Sequence, residues 1–305
     1  MICIETAAFQ EAMIRLSDCH ADSGQDDNPQ SMKLLGVAGV GKSFVFREYC
    51  LRHPSVVGDE ITHVPVVRVS IPSAPSKKDI FAAFVRGIGA HVGSGTAAKF
   101  RYRVETLYVN SGVEFICVDE IQHLVDRGQA QTYAAAADAL KEMLDLLKLP
   151  VAYGGAPRAE ILFSHNGQLR SRVPETLRLH PFNPLAQLSE LRSFLFELAH
   201  ELNDENRQWL ASAPVAMRMF YATDGVHRTI ALMVKRIARL EKTEKSLDFP
   251  TLERMFKRNY WPQVTPELNP FHKTFRMRRL NGAGEPFQPT YLDGDNHEGE
   301  VYAQR

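Results

Sequence analysis

Eight consecutive residues, Gly36-Val37-Ala38-Gly39-Val40-Gly41-Lys42-Ser43, constrain this chain more than any other stretch. They fit G-x-x-x-x-G-K-[ST], a loop whose backbone N–H groups cradle phosphates. The glycines let the backbone curl so that successive N–H groups point inward at an anion. Lys42 then reaches the β- and γ-phosphates of a nucleoside triphosphate, and Ser43 offers its hydroxyl to Mg²⁺. The flanks agree. Residues 32–37 (MKLLGV) are short, apolar and strand-like, and residues 44–50 (FVFREYC) suit a helix whose positive end faces the same anion. The expectation is an ATP·Mg²⁺ site over Gly36, Val37, Ala38, Gly39, Val40, Gly41, Lys42, Ser43 and Phe44.

A second anchor is VEFICVDE, residues 113–120. A mostly apolar run ending in two acids reads as a buried parallel strand with its carboxylates at the C-terminal edge, where open α/β sheets bind ligands. Asp119 is placed to hold Mg²⁺ through water, and Glu120 to polarise an attacking water.

Composition limits the remaining choices. Lys+Arg and Asp+Glu both number 36, so an electrostatic partner must find a local patch. The four cysteines show no C-x-x-C pair, and Cys50 and Cys117 lie in apolar runs that predict buried thiols. A reducing cytoplasm is expected, with no membrane partner, because no apolar run approaches about 18 residues.

Along the chain, residues 9–18 have helical spacing, with Phe9, Met13 and Leu16 on one face, and a polar linker follows over 20–31. A second strand is predicted at 64–69, and a helix capped by Ser76 runs over 79–90. Another helix extends to about Tyr108, and a long one over 130–148 turns Tyr133, Ala137, Leu140, Leu144 and Leu147 to one face. Residues 150–153 and 176–179 are the fourth and fifth strands, and 188–256 are mainly helical. The tail from Asn259 has no period and is expected to be extended, ordered by a partner or folded back on its own domain.

Phosphate loop, paired acids, fourth strand, arginine-bearing segment and helical region follow one another as in the AAA+ ATPases. The chain resembles, more closely, the TniB/TnsC-type AAA+ regulators of target selection in DDE-transposase elements. DEIQHL (119–124) is similar to the family's D-E-[IV]-x-H-L, and QLRSR (168–172) to its L-x-S-R-F box. LPVAYGGAPRAE (149–160) sits where the family has a strand ending in a polar residue. The resemblance implies an α/β fold: a P-loop AAA+ module with a five-stranded parallel sheet and a C-terminal helical lid. Its divisions would be an N-terminal helix and linker (1–31), a nucleotide-binding subdomain (32–184), a lid (185–258) and a partner-binding tail (259–305). By position, Arg172 is the trans-acting arginine finger, with Arg170 in reserve, and Arg228 is the sensor arginine of the same subunit. The alternative for either arginine is a surface cation in an ordinary ion pair. One departure stands out: Gly154, Gly155 and Ala156 offer no polar side chain to orient the lytic water. Gln122 or a backbone carbonyl is left to substitute, or hydrolysis is slow.

The implied function is ATP-dependent, sequence-independent assembly on duplex DNA as a ring or filament, recruiting a transposase and a target-selector protein, with hydrolysis driving disassembly. The DNA-binding candidates are Lys77, Lys78, Lys99, Arg101 and Arg103, the last three alternating with aromatics in KFRYR. A solvated helix face with inward aromatics is the alternative there. Arg276, Arg278 and Arg279 could bind DNA or an acidic partner, and Tyr260, Trp261, Phe271 and Phe275 are candidate docking anchors. The rival functions are a helicase-loader or IstB-like helper ATPase, and a nucleotide-gated scaffold with little hydrolysis.

Overall fold

The computed structural model describes residues 3–24, 29–59, 61–126, 130–164, 167–244 and 247–289. Ala8–Leu179 form one compact unit, and His180–Thr290 with Met1–Ala7 form another.

In chain order the first unit contains α1 (Ala7–Ala21), β1 (Met32–Gly36), α2 (Lys42–Arg52), β2 (Val56–Val57), β3 (Thr62–His63) and β4 (Val66–Ser70). These are followed by α3 (Lys77–Gly87), α4 (Ala97–Asn110), β5 (Phe115–Asp119), α5 (Ala130–Leu147), β6 (Val151–Gly155), α6 (Ile161–Ser164), α7 (Gly167–Arg172) and β7 (Glu175–Leu179). Single 3₁₀ turns occupy Ile121–Leu124 and Pro157–Glu160. The main sheet has the order β4-β5-β6-β1-β7 and every pairing in it is parallel. Its burial explains the sequence pattern. The three inner strands β1, β5 and β6 are buried at every residue and are mostly apolar, apart from Lys33 in β1 and the terminal Asp119 of β5, whereas the edges β4 and β7 carry half-exposed positions. The chain leaves β1 for the far edge, returns through β5 and β6, then crosses to β7. The C-terminal end of β1 therefore lies where the winding reverses, the place such sheets bind ligands.

Local signals account for the helices. Ser76 and Asp79 form a reciprocal capping box at α3, and Thr96 caps α4. Ala137, Leu140 and Leu144 of α5 are buried as their spacing predicts, while the Tyr133 side chain falls outside the described residues, as do residues 25–28 of the polar linker. Cys117 is buried and Cys50 half-buried. The antiparallel β2–β3 hairpin was not anticipated, because two-residue strands carry no readable alternation.

The second unit comprises α8 (Pro184–Leu198), α9 (Asp204–Leu210), α10 (Ala213–Thr223), α11 (His227–Glu241) and α12 (Phe249–Asn259). Residues 260–289 contain no helix or strand, yet they do not stand away from these helices. Val264, Phe271, Phe275 and Leu280 enter the same core, and Tyr260 and Trp261 pack against it. Arg218 Nη1 donates to the carbonyls of Pro270 and His272 at 2.5 and 2.8 Å, and Arg279 forms a paired bridge to Asp224. Of the two expectations for the tail, folding back is the one seen, and the four aromatics read as docking anchors serve its own core. Residues 290–305 lie outside the described part. No helix among the described residues is long and apolar enough to cross a membrane.

Candidate nucleotide-binding and hydrolysis site

The phosphate loop joins β1 to α2, as its flanks require. Gly36 is fixed by contact: a Cβ there would lie 2.4 Å from the Leu179 carbonyl oxygen of β7 and 2.8 Å from Val40. Gly39 and Gly41 take φ of 82° and 116°, values that L side chains rarely adopt. The Gly41 carbonyl accepts from Phe44 N and Val45 N at 3.0 and 2.9 Å, starting α2 at Lys42. The remaining N–H groups of that first turn, with the helix dipole, make this end of α2 suited to an anion. Lys42 Nζ donates to the carbonyls of Gly36 (2.6 Å) and Val37 (3.0 Å). Burial pushes the Lys42 ammonium below its usual pKa, and the nearby Glu120 and Asp119 carboxylates oppose that shift. A lysine held over the loop, with two acids within electrostatic reach, fits a triphosphate with a bound divalent cation.

Both acids stand at the predicted edge. Asp119 ends β5, is 1% exposed, and accepts from Arg68 Nη2 of β4 at 2.7 Å, while its other oxygen accepts from Glu120 N at 3.0 Å. Arg68 was not singled out in the sequence. The β4–β5 register pairs it with Cys117, two residues short of Asp119, so its reach to the strand end becomes visible only in the sheet, and its Nε is buried without a hydrogen-bond partner among the described residues. Glu120 leaves the strand with φ 63° and ψ 33°, a left-handed conformation that is uncommon without glycine. This turn sends the chain directly into the 3₁₀ segment. Gln122 donates from Nε2 to Glu120 Oε2 and accepts from Ala156 N at 3.0 Å, linking the acid to the end of β6. Arg158, two residues beyond, is tied to Asp126 at 2.8 and 2.7 Å and lies near enough to Lys42 to depress its pKa.

A model of the family described as "Bacterial TniB protein" matches residues 2–183, which is more than half of the chain. The chain belongs to the TniB family. Its architecture is the expected P-loop AAA+ ATPase module, a five-stranded parallel sheet followed by C-terminal helices. Solved structures similar to it include AMPPCP-bound DnaA from Aquifex aeolicus, at 17% identity and TM-score 0.47, covering 87% of this chain and 74% of that one. The Aeropyrum pernix ORC2 protein (ADPNP-ADP complexes) is 17% identical with TM-score 0.43, covering 85% and 70%. The Aeropyrum pernix ORC1 protein in complex with DNA is 15% identical with TM-score 0.43, covering 84% and 79%. At these scores the likeness carries no functional argument. Among proteins of curated function, none matches the sequence.

The remaining candidates of this TniB-family chain are placed less simply. Arg172 ends α7 and is paired with Asp145 of α5, the ion pair weighed as its alternative role, while Arg170 is exposed. Arg228 lies exposed in the first turn of α11, in the second unit. The DNA-binding candidates lie on α3 and α4, and two of them meet at an acid. Lys77 and Arg101 both reach Glu142 of α5, at 2.7 and 3.0 Å. Arg103 donates to the Val92 and His91 carbonyls at 2.7 and 2.8 Å, and Lys99 to Ser94 O at 3.3 Å. Lys78 lies over the Phe100 ring. Of the two aromatics in KFRYR, Phe100 packs inward and Tyr102 is 68% exposed.

Proposed function

We propose that this TniB-family chain is an ATP-dependent regulator of transposition that assembles with copies of itself on duplex DNA. The observation that carries the reading is a built phosphate loop whose Lys42 lies within electrostatic reach of a buried Asp119 and a clamped Glu120 at the C-terminal edge of the sheet. The loop N–H groups and Lys42 bind and orient the β- and γ-phosphates. Ser43 and Asp119 supply the hydroxyl and carboxylate that would hold Mg²⁺, whose charge offsets that of the phosphates. Glu120 takes a proton from the attacking water as oxygen bonds to the γ-phosphorus and the bond to the β-phosphate oxygen breaks, leaving ADP and phosphate. Arg172 of a neighbouring copy stabilises the charge spread over the transferring group. For this it exchanges Asp145 for the phosphate, so hydrolysis depends on assembly. Arg228, in the first turn of α11, is the proposed sensor of nucleotide state.

The basic residues of α3 and α4 supply the DNA-facing surface, with Glu142 moderating its charge. A transposase and a target selector are the protein partners this reading implies. The test is phosphate release and nucleotide binding by the full chain with Lys42→Ala and Glu120→Gln. Lys42→Ala should lose nucleotide binding. Glu120→Gln should keep it and lose turnover by about 100-fold or more. Equal turnover in wild type and both variants would remove the enzymatic part of the proposal and leave a scaffold.

A further inference from the structure

The hydrolytic site contains a group that the phosphate loop and the paired acids do not account for. Gln122 sits in the 3₁₀ turn after β5 and is only 8% exposed. Its Oε1 accepts the Ala156 N–H at 3.0 Å, which fixes the amide so that Nε2 must face Glu120, and Nε2 donates to Glu120 Oε2. A buried amide thus spans from the acid of one strand end to the backbone of the next. The glycines of β6 make room for it. A Cβ on Gly155 would stand 3.0 Å from Gln122 Oε1 and 2.6 Å from Ile121 Cγ1, so any side chain at that strand end would press on the Gln122 amide and displace Ile121.

We propose that Gln122 is the positioning residue for hydrolysis. It holds one carboxylate oxygen of Glu120 so that the other receives the proton of the attacking water. The O–H proton passes to the Glu120 carboxylate, the new P–O bond forms, and the electrons of the broken bond leave with ADP. This rests on Glu120 being the base, and the test separates the two claims.

The experiment compares wild type, Glu120→Gln, Gln122→Met and Gln122→Glu as full chains, measuring single-turnover phosphate release, affinity for a fluorescent ATP analogue, and thermal melting. Gln122→Met keeps the length of the side chain and removes both hydrogen bonds. It should lower the rate by about 10- to 100-fold while nucleotide affinity stays within about twofold. Gln122→Glu places a second carboxylate against Glu120, so its rate should be low at alkaline pH. It should recover as the pH falls, because a protonated new carboxyl can accept from Ala156 and donate to Glu120 as the amide did. Wild type should show no such acid-side recovery.

A wild-type rate in Gln122→Met, or a Gln122→Glu profile parallel to wild type, overturns the proposal while a dead Glu120→Gln leaves the base assignment standing. If wild type and Glu120→Gln turn over alike, the base assignment falls and takes the Gln122 role with it. Should Gln122→Met melt early or lose nucleotide, the pH profile of Gln122→Glu still decides.

Discussion

Gly154 and Gly155 sit side by side at the end of β6, yet each is glycine for a different neighbour. A Cβ on Gly154 would meet the Phe46 ring of α2 at 2.4 Å, and one on Gly155 would meet Ile121 and Gln122. Phe46 is fully buried beneath the helix that carries Lys42 and Ser43, so the first glycine sets how closely the phosphate-binding helix approaches the sheet. Gly154→Ala should therefore destabilise the chain by about 1–3 kcal/mol through overpacking and weaken ATP binding in parallel, read by thermal melting and fluorescent-nucleotide titration. An unchanged affinity would show that α2 is positioned without this contact. The phosphate loop, Asp119 and Glu120 were legible because their chemistry demands fixed residue types at fixed spacing. The reason for the glycine pair was not, since Phe46 and Gln122 meet it only through the order of the strands. Arg68 was hidden likewise, lying many residues from Asp119 and reaching it only across the β4–β5 pairing.

Helices 3, 4 and 5 bring together charges that sequence reading treated as separate patches. Lys77 and Arg101 converge on Glu142, so the candidate DNA surface is partly neutralised from within. Glu142→Gln should strengthen binding to duplex DNA. Arg101→Ala should weaken it about equally for all sequences and reduce the salt slope by about one. Fluorescence anisotropy against salt concentration checks both, and a Glu142→Gln affinity no higher than wild type would locate the DNA surface elsewhere.

A second element carries a pH signature. His227 opens α11 packed against Phe182 and Phe194, with Nδ1 buried and unpartnered among the described residues. Burial pushes its imidazole from 6.5 down to about 4. Above pH 6.5 the ring is neutral folded or unfolded, whereas below it the unfolded chain gains a proton that the folded core refuses. Stability of the helical unit should fall as pH drops from 6.5 towards 4, by at most about 3 kcal/mol, and His227→Leu should flatten that dependence in denaturant titrations. Caps and long amphipathic helices were legible here. The β2–β3 hairpin and the break in α8 at Gln187 were not, being too short to set a period.

At the scale of the molecule, the tail and the net charge show how far composition can mislead. Residues 260–289 lack periodicity, which reads as an extended arm, but their aromatics are spent inside the helical unit and Arg218 holds their backbone. Phe271→Ala should cost that unit about 3–5 kcal/mol, visible as an early melting transition. A wild-type melt would return the tail to the role of a free docking arm. Balanced net charge likewise gives no hint of a DNA partner, because any attraction depends on which local cations are paired. Under the proposed function, ATP at the phosphate loop joins copies of this chain along DNA. Electron microscopy of the purified chain with duplex DNA, with and without a non-hydrolysable ATP analogue, tests this most directly. Ordered assemblies that require the analogue and vanish in Lys42→Ala are the predicted result. Bare DNA under both conditions, or assemblies indifferent to nucleotide, would contradict it.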